Sequence, residues 1–381
     1  MKLKNSNYIN FVVLSDLHLG HRRNSATEII KNLNREFSEE KIAELDMIVF
    51  AGDLIDHLLT SLEIIEIDIW FMSFSKRCKR QDVTVFILEG TPSHDWKQAA
   101  RFAQLNEKLA QYGAHLVYIK DLTIWYEEKF DMNFLFVPDE WSIRSEDTLA
   151  QVKELLRKKG IDQVDYAFLH GNFDYQIDSF MNIPRHDSEE YLKLVKHLLF
   201  IGHIHTRSSY KRIYAQGSFD RLGHNEEEPK GYLKVRGYQD GHHEVEFIEN
   251  TGAKKFITLD CIGLDLEKTY RKIEKETGEL PHGSYVRIKA QSAHPVFSNM
   301  DEILRKYPHC VWSKHPINEA NEKENQKYLF SLTEKYTPVE INEKNIKSLL
   351  LERIQRKIND TALLVELTRH IDEMRGAVRF R

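Results

Sequence analysis

The feature that most constrains this chain is the alternation of short apolar runs with helix-like segments over its N-terminal half. The runs lie at residues 11–15, 47–51, 83–88, 115–119, 134–137, 166–169 and 198–201. They are rich in β-branched and aromatic side chains, which is typical of buried strands. Strands that alternate with helices build layered domains in which helices cover a sheet. The sequence therefore predicts an α/β fold.

The longest helix-like segment carries an apolar stripe of aromatic character. Its members recur at helical spacing and are Ile64, Ile67, Trp70, Phe71, Phe74 and Cys78. We interpret this stripe as the face that packs on the core, and not as a platform for stacked bases, because such spacing is the normal mark of an amphipathic helix.

Acidic residues and histidines directly follow five of the predicted strands. They are Asp16 and His18, Asp53 and Asp56, His94 and Asp95, His170, and His203 and His205. A single pair of this kind is also explained by a capped turn or a core histidine. Loops at the carboxyl ends of strands converge on one crevice in α/β folds. Five successive examples therefore favour one shared site.

The residue types in this set indicate a metal centre. Carboxylates and imidazoles without a thiolate suit Mn²⁺, Fe²⁺ or Zn²⁺. The set is too large for one ion and fits two. Two ions roughly 3.5–4 Å apart can hold a phosphoryl group and lower the pKa of a bound water. The sequence therefore predicts a hydrolase that acts on phosphate esters.

The order of these motifs resembles that of the calcineurin-like metallophosphoesterases. The motifs are Asp16-x-His18, Gly52-Asp53-x-x-Asp56, Gly90 with His94-Asp95, His170, and Gly202-His203-x-His205. Segment 214–218, with the acidic run 226–228 and Gly231-Tyr232, is more narrowly similar to the SbcD-type nucleases. The resemblance implies a four-layer α/β/β/α sandwich with a small α+β capping domain and a C-terminal helical segment.

The resemblance also implies two ligand sets that share one carboxylate. One set is Asp16, His18, Asp53 and His205. The other is Asp53, His170 and His203, with an oxygen donor from the third motif. Mn²⁺ is the favoured ion, and Mg²⁺, Fe²⁺ and Zn²⁺ are the alternatives.

Three further residues receive roles by the same resemblance. His94 is expected to stabilise or protonate the leaving oxygen without binding metal. Asp56 and Asp95 are expected to orient the ligands, although a structural cap explains Asp95 equally well.

The third motif departs from the family pattern. The family has Gly-Asn-His followed by Asp or Glu, and its Asn supplies an oxygen to the second ion. Here two residues are inserted, and Ser93 precedes the histidine. We expect Ser93 to be the metal ligand from this motif, as a weaker donor than Asn.

Three domains are expected along the chain. A nuclease domain spans residues 1–250, and polar turn residues at 249–252 mark its end. A capping domain spans 255–340, with a strand near 285–288 and a helix near 301–306. Residues 341–381 form a helical hairpin with a seam of Leu364, Leu367, Ile371 and Met374. From the pattern alone, this hairpin either packs on its own domain or docks on a partner helix.

The function implied by the resemblance is a DNA exonuclease, with endonuclease activity also considered, in DNA repair and recombination. The expected partners are DNA, a coiled-coil ATPase of the SbcC type and a second copy of the chain. A phosphodiesterase or phosphatase for nucleotides or phosphoproteins is one alternative, and a catalytically weak scaffold is the other. The residues themselves indicate phosphoester hydrolysis, whereas DNA as substrate comes from the resemblance.

Composition sets three broader limits. The net charge of −5 argues mildly against nonspecific nucleic-acid binding by the whole surface. The three cysteines are far apart, which favours a reducing, cytoplasmic location. No apolar run approaches the roughly 18–20 residues that span a bilayer, so no membrane association is expected.

Overall fold

The computed structural model describes residues 8–178, 181, 183–318 and 348. All of these except Ser348 belong to the first of two units into which the chain divides, Met1–Glu322, and the second unit is Lys323–Arg381. The predicted C-terminal hairpin and the end of the predicted capping domain lie outside the described residues.

The described strands are numbered in chain order. They are β1 Tyr8–Leu14, β2 Met47–Ala51, β3 Thr84–Leu88, β4 His115–Ile119, β5 Thr123–Glu127, β6 Met132–Val137, β7 Tyr166–His170, β8 Leu199–Gly202, β9 Ser208–Tyr210, β10 Ile213–Ala215, β11 Gly231–Tyr238, β12 His243–Glu249, β13 Phe256–Asp260, β14 Ser284–Gln291 and β15 Cys310–Ile317.

The described helices are numbered in the same way. They are α1 Ala26–Glu36, α2 Glu39–Ala43, α3 Ser61–Arg80, α4 Pro92–Asp95, α5 Ala100–Lys108, α6 Ser145–Lys159, α7 Ser188–Leu194, α8 Leu266–Thr277 and α9 Met300–Lys306. Single 3₁₀ turns lie at Ala110–Tyr112, Asp174–Gln176 and Pro295–Ser298. No helix among the described residues is both long and apolar enough to cross a membrane.

Two six-stranded mixed sheets form the body of the molecule. The first has the order β12-β11-β1-β2-β3-β4, and the second has the order β5-β6-β7-β8-β10-β9. Strands β1 to β4 run parallel to one another, as do β6, β7, β8 and β10. The carboxyl ends of each parallel group therefore lie at one edge of its sheet.

The side chains of the sheets alternate between two apolar cores because successive residues of a strand face opposite ways. In β1, Phe11 and Val13 pack between the two sheets, whereas Val12 and Leu14 pack under the helices α1, α3 and α5. The second sheet buries its outer face, including Leu135 in β6, against α6 and α7. The predicted four-layer α/β/β/α sandwich is confirmed.

Helix α3 illustrates how local sequence and packing agree. It starts with a capping box in which Thr60 accepts from the Glu63 amide and Glu63 accepts from the Thr60 amide, an arrangement that satisfies two otherwise unpaired N–H groups. Its buried residues include Ile67, Trp70 and Phe74. The predicted core stripe is therefore confirmed.

A small third sheet follows the sandwich. It has the order β13-β14-β15 with all strands parallel. One face, which includes Val286, Ile288 and Ala290, packs with residues of α8 and α9. The boundary predicted near residue 250 falls between β12 and β13. A strand expected at 285–288 and a helix expected at 301–306 correspond to β14 and α9.

Candidate metal centre

The predicted acidic and histidine residues lie on loops that leave parallel strands at their carboxyl ends. Asp16 follows β1, Asp53 follows β2, and His94 follows β3, whereas His170 ends β7 and His203 follows β8. The first three strands belong to one sheet and the last two to the other. The site therefore forms where the edges of two packed sheets meet.

Unusual backbone conformations accompany these loops. Asp16, His18, Asp53 and His203 all have positive φ angles, of 53°, 47°, 49° and 99°. Such angles are uncommon for residues other than glycine, cost energy, and cluster at functional sites. Packing of the surrounding strands must hold them in place.

Gly52 and Gly90 of the motifs are required because neighbouring atoms leave no room for a side chain. A Cβ atom on Gly90 would lie 2.0 Å from the amide nitrogen of Asp53. A Cβ atom on Gly52 would lie 2.2 Å from Nδ1 of His170, and Gly52 also has a φ of +89°. These contacts explain why a glycine precedes both Asp53 and Thr91.

The first group of potential ligands contains Asp16, His18 and His205, with their ligand atoms within 4.8 Å of one another. Nε2 of His18 lies 3.2 Å from Nε2 of His205. Oδ1 of Asp16 lies 3.8 Å from Nε2 of His205, and Oδ2 of Asp53 lies 3.8 Å from Nε2 of His18. One carboxylate and two imidazoles therefore converge on one point, with Asp53 beside them.

The second group contains Asp53, His170 and His203. Nε2 of His170 lies 3.2 Å from Oδ1 of Asp53 and 4.0 Å from Oδ1 of Asp16. Nδ1 of His203 lies 3.2 Å from Oγ1 of Thr91. The two oxygens of Asp53 thus face different groups, Oδ1 towards His170 and Oδ2 towards His18, which is the arrangement that a bridging carboxylate needs.

The contacts of the two imidazoles in the first group favour a cation between them. Nδ1 of His205 lies 2.8 Å from Oε1 of Glu226. Nδ1 of His18 lies 3.2 Å from Oδ1 of Asp56, without the geometry of a hydrogen bond. A neutral imidazole that donates from Nδ1 presents a lone pair at Nε2. With both rings neutral, the two Nε2 atoms would present lone pairs to each other. Burial lowers the pKa of His205, but the carboxylates of Glu226 and Asp16 raise it overall, so a proton in the metal-free chain, or a metal ion when bound, fits between the two rings.

The second group also favours a cation, next to Nε2 of His170. Nδ1 of His170 lies 2.7 Å from the carbonyl oxygen of Ala51, and that oxygen can only accept. Nε2 of His170 is buried, makes no hydrogen bond within the described chain, and faces carboxylate oxygens. Its neutral form would place a lone pair against them. The donor set of carboxylate and imidazole, in which none of the described cysteines takes part, fits divalent ions.

The electrostatics of the metal-free chain agree with this need for positive charge. Burial lowers the pKa of His170, but the carboxylates of Asp53 and Asp16 outweigh it and raise that pKa well above its usual value. Burial raises the pKa of Glu226, whereas the hydrogen bond and charge of His205 lower it to about 2. Glu226 is therefore ionised and holds the ring of His205 in one orientation, as partners of metal-bound histidines do.

His94 lies beside the first group and outside both ligand groups. With His18 and Asp56 it forms a third group whose potential ligand atoms lie within 4.8 Å of one another, and its ring centroid is 4.9 Å from that of His18. Burial lowers the pKa of His94, so a neutral ring with one N–H faces the site. This placement suits the predicted role at a leaving oxygen.

Asp95 joins two of the loops by accepting backbone hydrogen bonds. Its Oδ1 accepts from the amide of Ile55 at 2.9 Å, and its Oδ2 accepts from the amide of Gly90 at 2.7 Å. Burial, with the nearby charges of Asp53 and Glu89, raises its pKa to about 8. Of the two sequence interpretations, the structure favours the structural one: Asp95 fixes the second and third motifs against each other.

The hydroxyl of the third motif that reaches the site belongs to Thr91, whereas we expected Ser93. The longer motif is accommodated as one helical turn, α4, which begins at Pro92. Ser93 lies in that turn with an exposed side chain. Thr91 stays next to Gly90, where its amide donates to Oδ1 of Asp53 at 2.6 Å and its Oγ1 lies 3.3 Å from Oδ2.

Sequence reasoning missed two carboxylates and this threonine. Oδ2 of Asp139 accepts from Oγ1 of Thr91 at 2.9 Å and lies 3.4 Å from Nδ1 of His203. Asp139 stands two residues after β6, so the rule that identified the other loops could have identified it. Glu226 was noted only as part of an acidic run, and its pairing with His205 spans 21 residues and has no local signal.

The aromatic and basic triplet Tyr210-Lys211-Arg212 has a structural role in the described chain. Nη1 and Nη2 of Arg212 donate to the carbonyl oxygens of Leu192, Val195, Lys196 and His197 at the end of α7. The hydroxyl of Tyr210 and the amine of Lys211 both donate to Glu189. The polar groups of all three side chains therefore form hydrogen bonds within the chain.

Comparison with known proteins gives one family and distant structural neighbours. The family model described as calcineurin-like phosphoesterase matches residues 9–230. TT1561 of Thermus thermophilus is similar at 10% identity and a TM-score of 0.35, covering 63% of this chain and 99% of that chain. A second solved structure is similar at 11% identity and a TM-score of 0.37, with the same coverages. No curated protein matches at a significant level.

Proposed function

The chain belongs to the calcineurin-like phosphoesterase family, and on that premise we propose that it is a two-metal DNA nuclease. The observation that carries the proposal is the position of Asp53, whose two oxygens face His170 at 3.2 Å and His18 at 3.8 Å. One carboxylate between two ligand groups fits a pair of ions close enough to act on one phosphate.

The residues of the chain divide the chemical work between them. Divalent ions held by the two ligand groups would neutralise charge on the phosphate and lower the pKa of a bound water. Glu226 holds the ring of His205 through Nδ1, and Asp56 lies 3.2 Å from Nδ1 of His18. His94 offers its N–H to the oxygen that leaves. Mn²⁺ is the ion we propose, since histidine-rich sites hold Mg²⁺ weakly.

A basic face near the site supports a polyanionic substrate. The face of the third sheet opposite α8 and α9 carries Tyr285, Arg287, Lys289 and His315, because they alternate with the buried residues of β14 and pair across the strands. One carboxylate, that of Asp260, lies 4.0 Å from Nζ of Lys289. Nε of Arg287 donates to Thr258 at 3.1 Å, and Thr258 donates to Glu227. Glu227 follows the Glu226 that holds His205. Basic groups beside a metal centre suit the phosphates that flank the one being cleaved.

The test of this proposal is hydrolysis of labelled duplex and single-stranded DNA with Mn²⁺ or Mg²⁺. We expect shortened products with Mn²⁺ and none with the Asp53→Asn variant. Cleavage of nucleotides or phosphopeptides without cleavage of DNA would support the phosphatase alternative. Two bound ions without any hydrolysis would support the scaffold alternative.

We also propose a homodimer, supported by an exposed apolar stripe on α3. Leu62, Ile65 and Ile69 are exposed and lie at helical spacing on the side away from the core. The acidic residues between them bind within the chain, since Glu66 accepts from Thr27 and Asp68 pairs with Arg101. Light scattering should give a dimer for the natural chain and a monomer for Ile65→Lys with Ile69→Lys. The control is Leu304→Lys, at an exposed apolar residue on α9.

The coiled-coil ATPase remains a proposal from sequence, because residues 341–381, apart from Ser348, lie outside the described part. Deletion of those residues should abolish co-elution with the ATPase and leave hydrolysis of small phosphodiesters unchanged. Loss of folding on deletion would instead favour a hairpin that packs on its own domain. A cytoplasmic location is proposed because Cys78, Cys261 and Cys310 are all buried and unbridged.

A further inference from the structure

A cleft beside the second ligand group has no role in the chemistry described above. Its volume is about 350 Å³, and its lining includes Asp139 and His203. Small-molecule clefts measure roughly 300–1,000 Å³, so this one has the size for a single flat ring system with a sugar. A group bound there would be adjacent to a phosphate held at the metal centre.

Apolar side chains form one wall of the cleft. Trp141, Ile143 and Ile183 all line it, and Ile143 is 81% exposed while Trp141 is 37% exposed. The indole is held in place because its Nε1 donates to Oε1 of Gln151 on α6 at 2.9 Å. Exposed apolar side chains that cluster around a cleft mark a binding site, whereas single ones do not.

Polar groups complete the lining. Oδ1 of Asn172 and Nδ1 of His186 are buried and have no hydrogen-bond partner in the described chain, and both residues line the cleft. Burial lowers the pKa of His186 to about 4, so its ring is neutral and can accept one hydrogen bond and donate another. Buried polar atoms without partners cost stability unless a ligand satisfies them.

We propose that this cleft receives the base of an unpaired nucleotide next to the cleaved phosphate, stacked on Trp141. The inference rests on the proposed nuclease function and narrows its substrate to single-stranded or frayed DNA. Aromatic side chains stack on bases without regard to sequence. A base within a duplex has both faces covered by its neighbours, so it reaches such a pocket only after it leaves the stack.

The first experiment measures binding, so that it does not depend on turnover. Fluorescence anisotropy of a labelled single-stranded hexanucleotide is recorded with the full chain, with Ca²⁺ replacing Mn²⁺. Trp141→Ala should weaken binding roughly 5- to 150-fold, the range for loss of one stacked base. Trp141→Phe should retain most of the affinity, and Ile143→Ser should weaken binding in the same direction. Tyr112→Ala, an exposed aromatic residue just before β4, is the matched control and should bind as the natural chain does.

The second experiment removes the base instead of the indole. A hexanucleotide with an abasic site at the nucleotide that occupies the cleft should bind the natural chain more weakly by the same factor, and Trp141→Ala should add no further loss. Hydrolysis of bis(4-nitrophenyl) phosphate, which has no base, should be unchanged in Trp141→Ala.

Three results would overturn the inference. The first is that Trp141→Ala binds the oligonucleotide as tightly as the natural chain. The second is that removing the indole and removing the base weaken binding additively. The third is that Trp141→Ala loses as much activity on bis(4-nitrophenyl) phosphate as it loses affinity for the oligonucleotide. If the natural chain hydrolyses no phosphodiester, the proposed function fails, and the binding comparison still decides the role of the cleft.

Discussion

Removal of the Thr91 hydroxyl should weaken the second metal site more than the first. Oγ1 of Thr91 lies 2.9 Å from Asp139 and 3.2 Å from His203, which belong to the second group or its neighbour. It lies 3.3 Å from Oδ2 of Asp53, the oxygen that faces His18, so its longest contact is on the side of the first group. Thr91→Val keeps the shape of the side chain and its backbone bond to Asp53. It also removes no helix cap, because Thr91 makes no side-chain cap to α4.

The size of the effect follows from the contacts that are lost. A buried polar group left without its partner costs about 1–3 kcal/mol, which corresponds to roughly 5- to 150-fold in a binding constant. Loss of a residue that orients metal ligands costs roughly 10- to 100-fold in affinity. We therefore expect the Mn²⁺ dissociation constant of the second site to rise by roughly one to two orders of magnitude.

Calorimetric titration of the metal-free chain with Mn²⁺ measures this change. Ser93→Ala is the matched control, because Ser93 is exposed on α4 and should titrate as the natural chain does. Equal isotherms for Thr91→Val and the natural chain would refute the assignment of Thr91. If only Ser93→Ala lost Mn²⁺ affinity, Ser93 would be the metal ligand, as we expected from the sequence.

Three further predictions concern the same centre. Asp53→Asn should abolish hydrolysis and lower the content of both ions, as measured by mass spectrometry, because it removes the negative charge between the groups; full activity would exclude a bridging role. His94→Ala should lower kcat on the order of 10²–10⁴-fold with unchanged metal content, and loss of an ion would show that His94 is a ligand. As the pH is lowered below the raised pKa of His170, the affinity for Mn²⁺ should decrease, because the proton on Nε2 competes with the metal. The expected decrease is about tenfold per pH unit for each proton displaced. Calorimetry at pH 6, 7 and 8 tests this, and a pH-independent affinity would contradict it.

The sequence predicted those parts of the fold that have strong local periodicity. Strands β1 to β3 and β6 to β8 are continuous apolar runs because helices and a second sheet bury both of their faces. Strand β15 was missed because only its two ends are buried. Strand β5 lies at the edge of its sheet, and its sequence Thr-Ile-Trp-Tyr-Glu mixes polar and apolar residues. Strands β5 and β15 lack a fully apolar run and therefore gave no such signal.

The candidate site was predictable where ligand and strand are adjacent in the chain. Asp16, Asp53, His170 and His203 all stand within two residues of a strand end. The choice between Thr91 and Ser93 was not predictable, because it depends on whether Pro92 starts a helical turn or continues a loop. The pairing of His205 with Glu226 depends on the path of the chain between them, and local spacing carries no information about that path.

The most direct test of the central claim is a parallel titration of metal binding and activity. The metal-free full chain is titrated with Mn²⁺ while bound metal and hydrolysis of bis(4-nitrophenyl) phosphate are measured on the same samples. The account predicts two ions per chain at saturation and hydrolysis that rises with the second ion. Full activity with one ion per chain, or two bound ions without hydrolysis of this ester or of DNA, would contradict it.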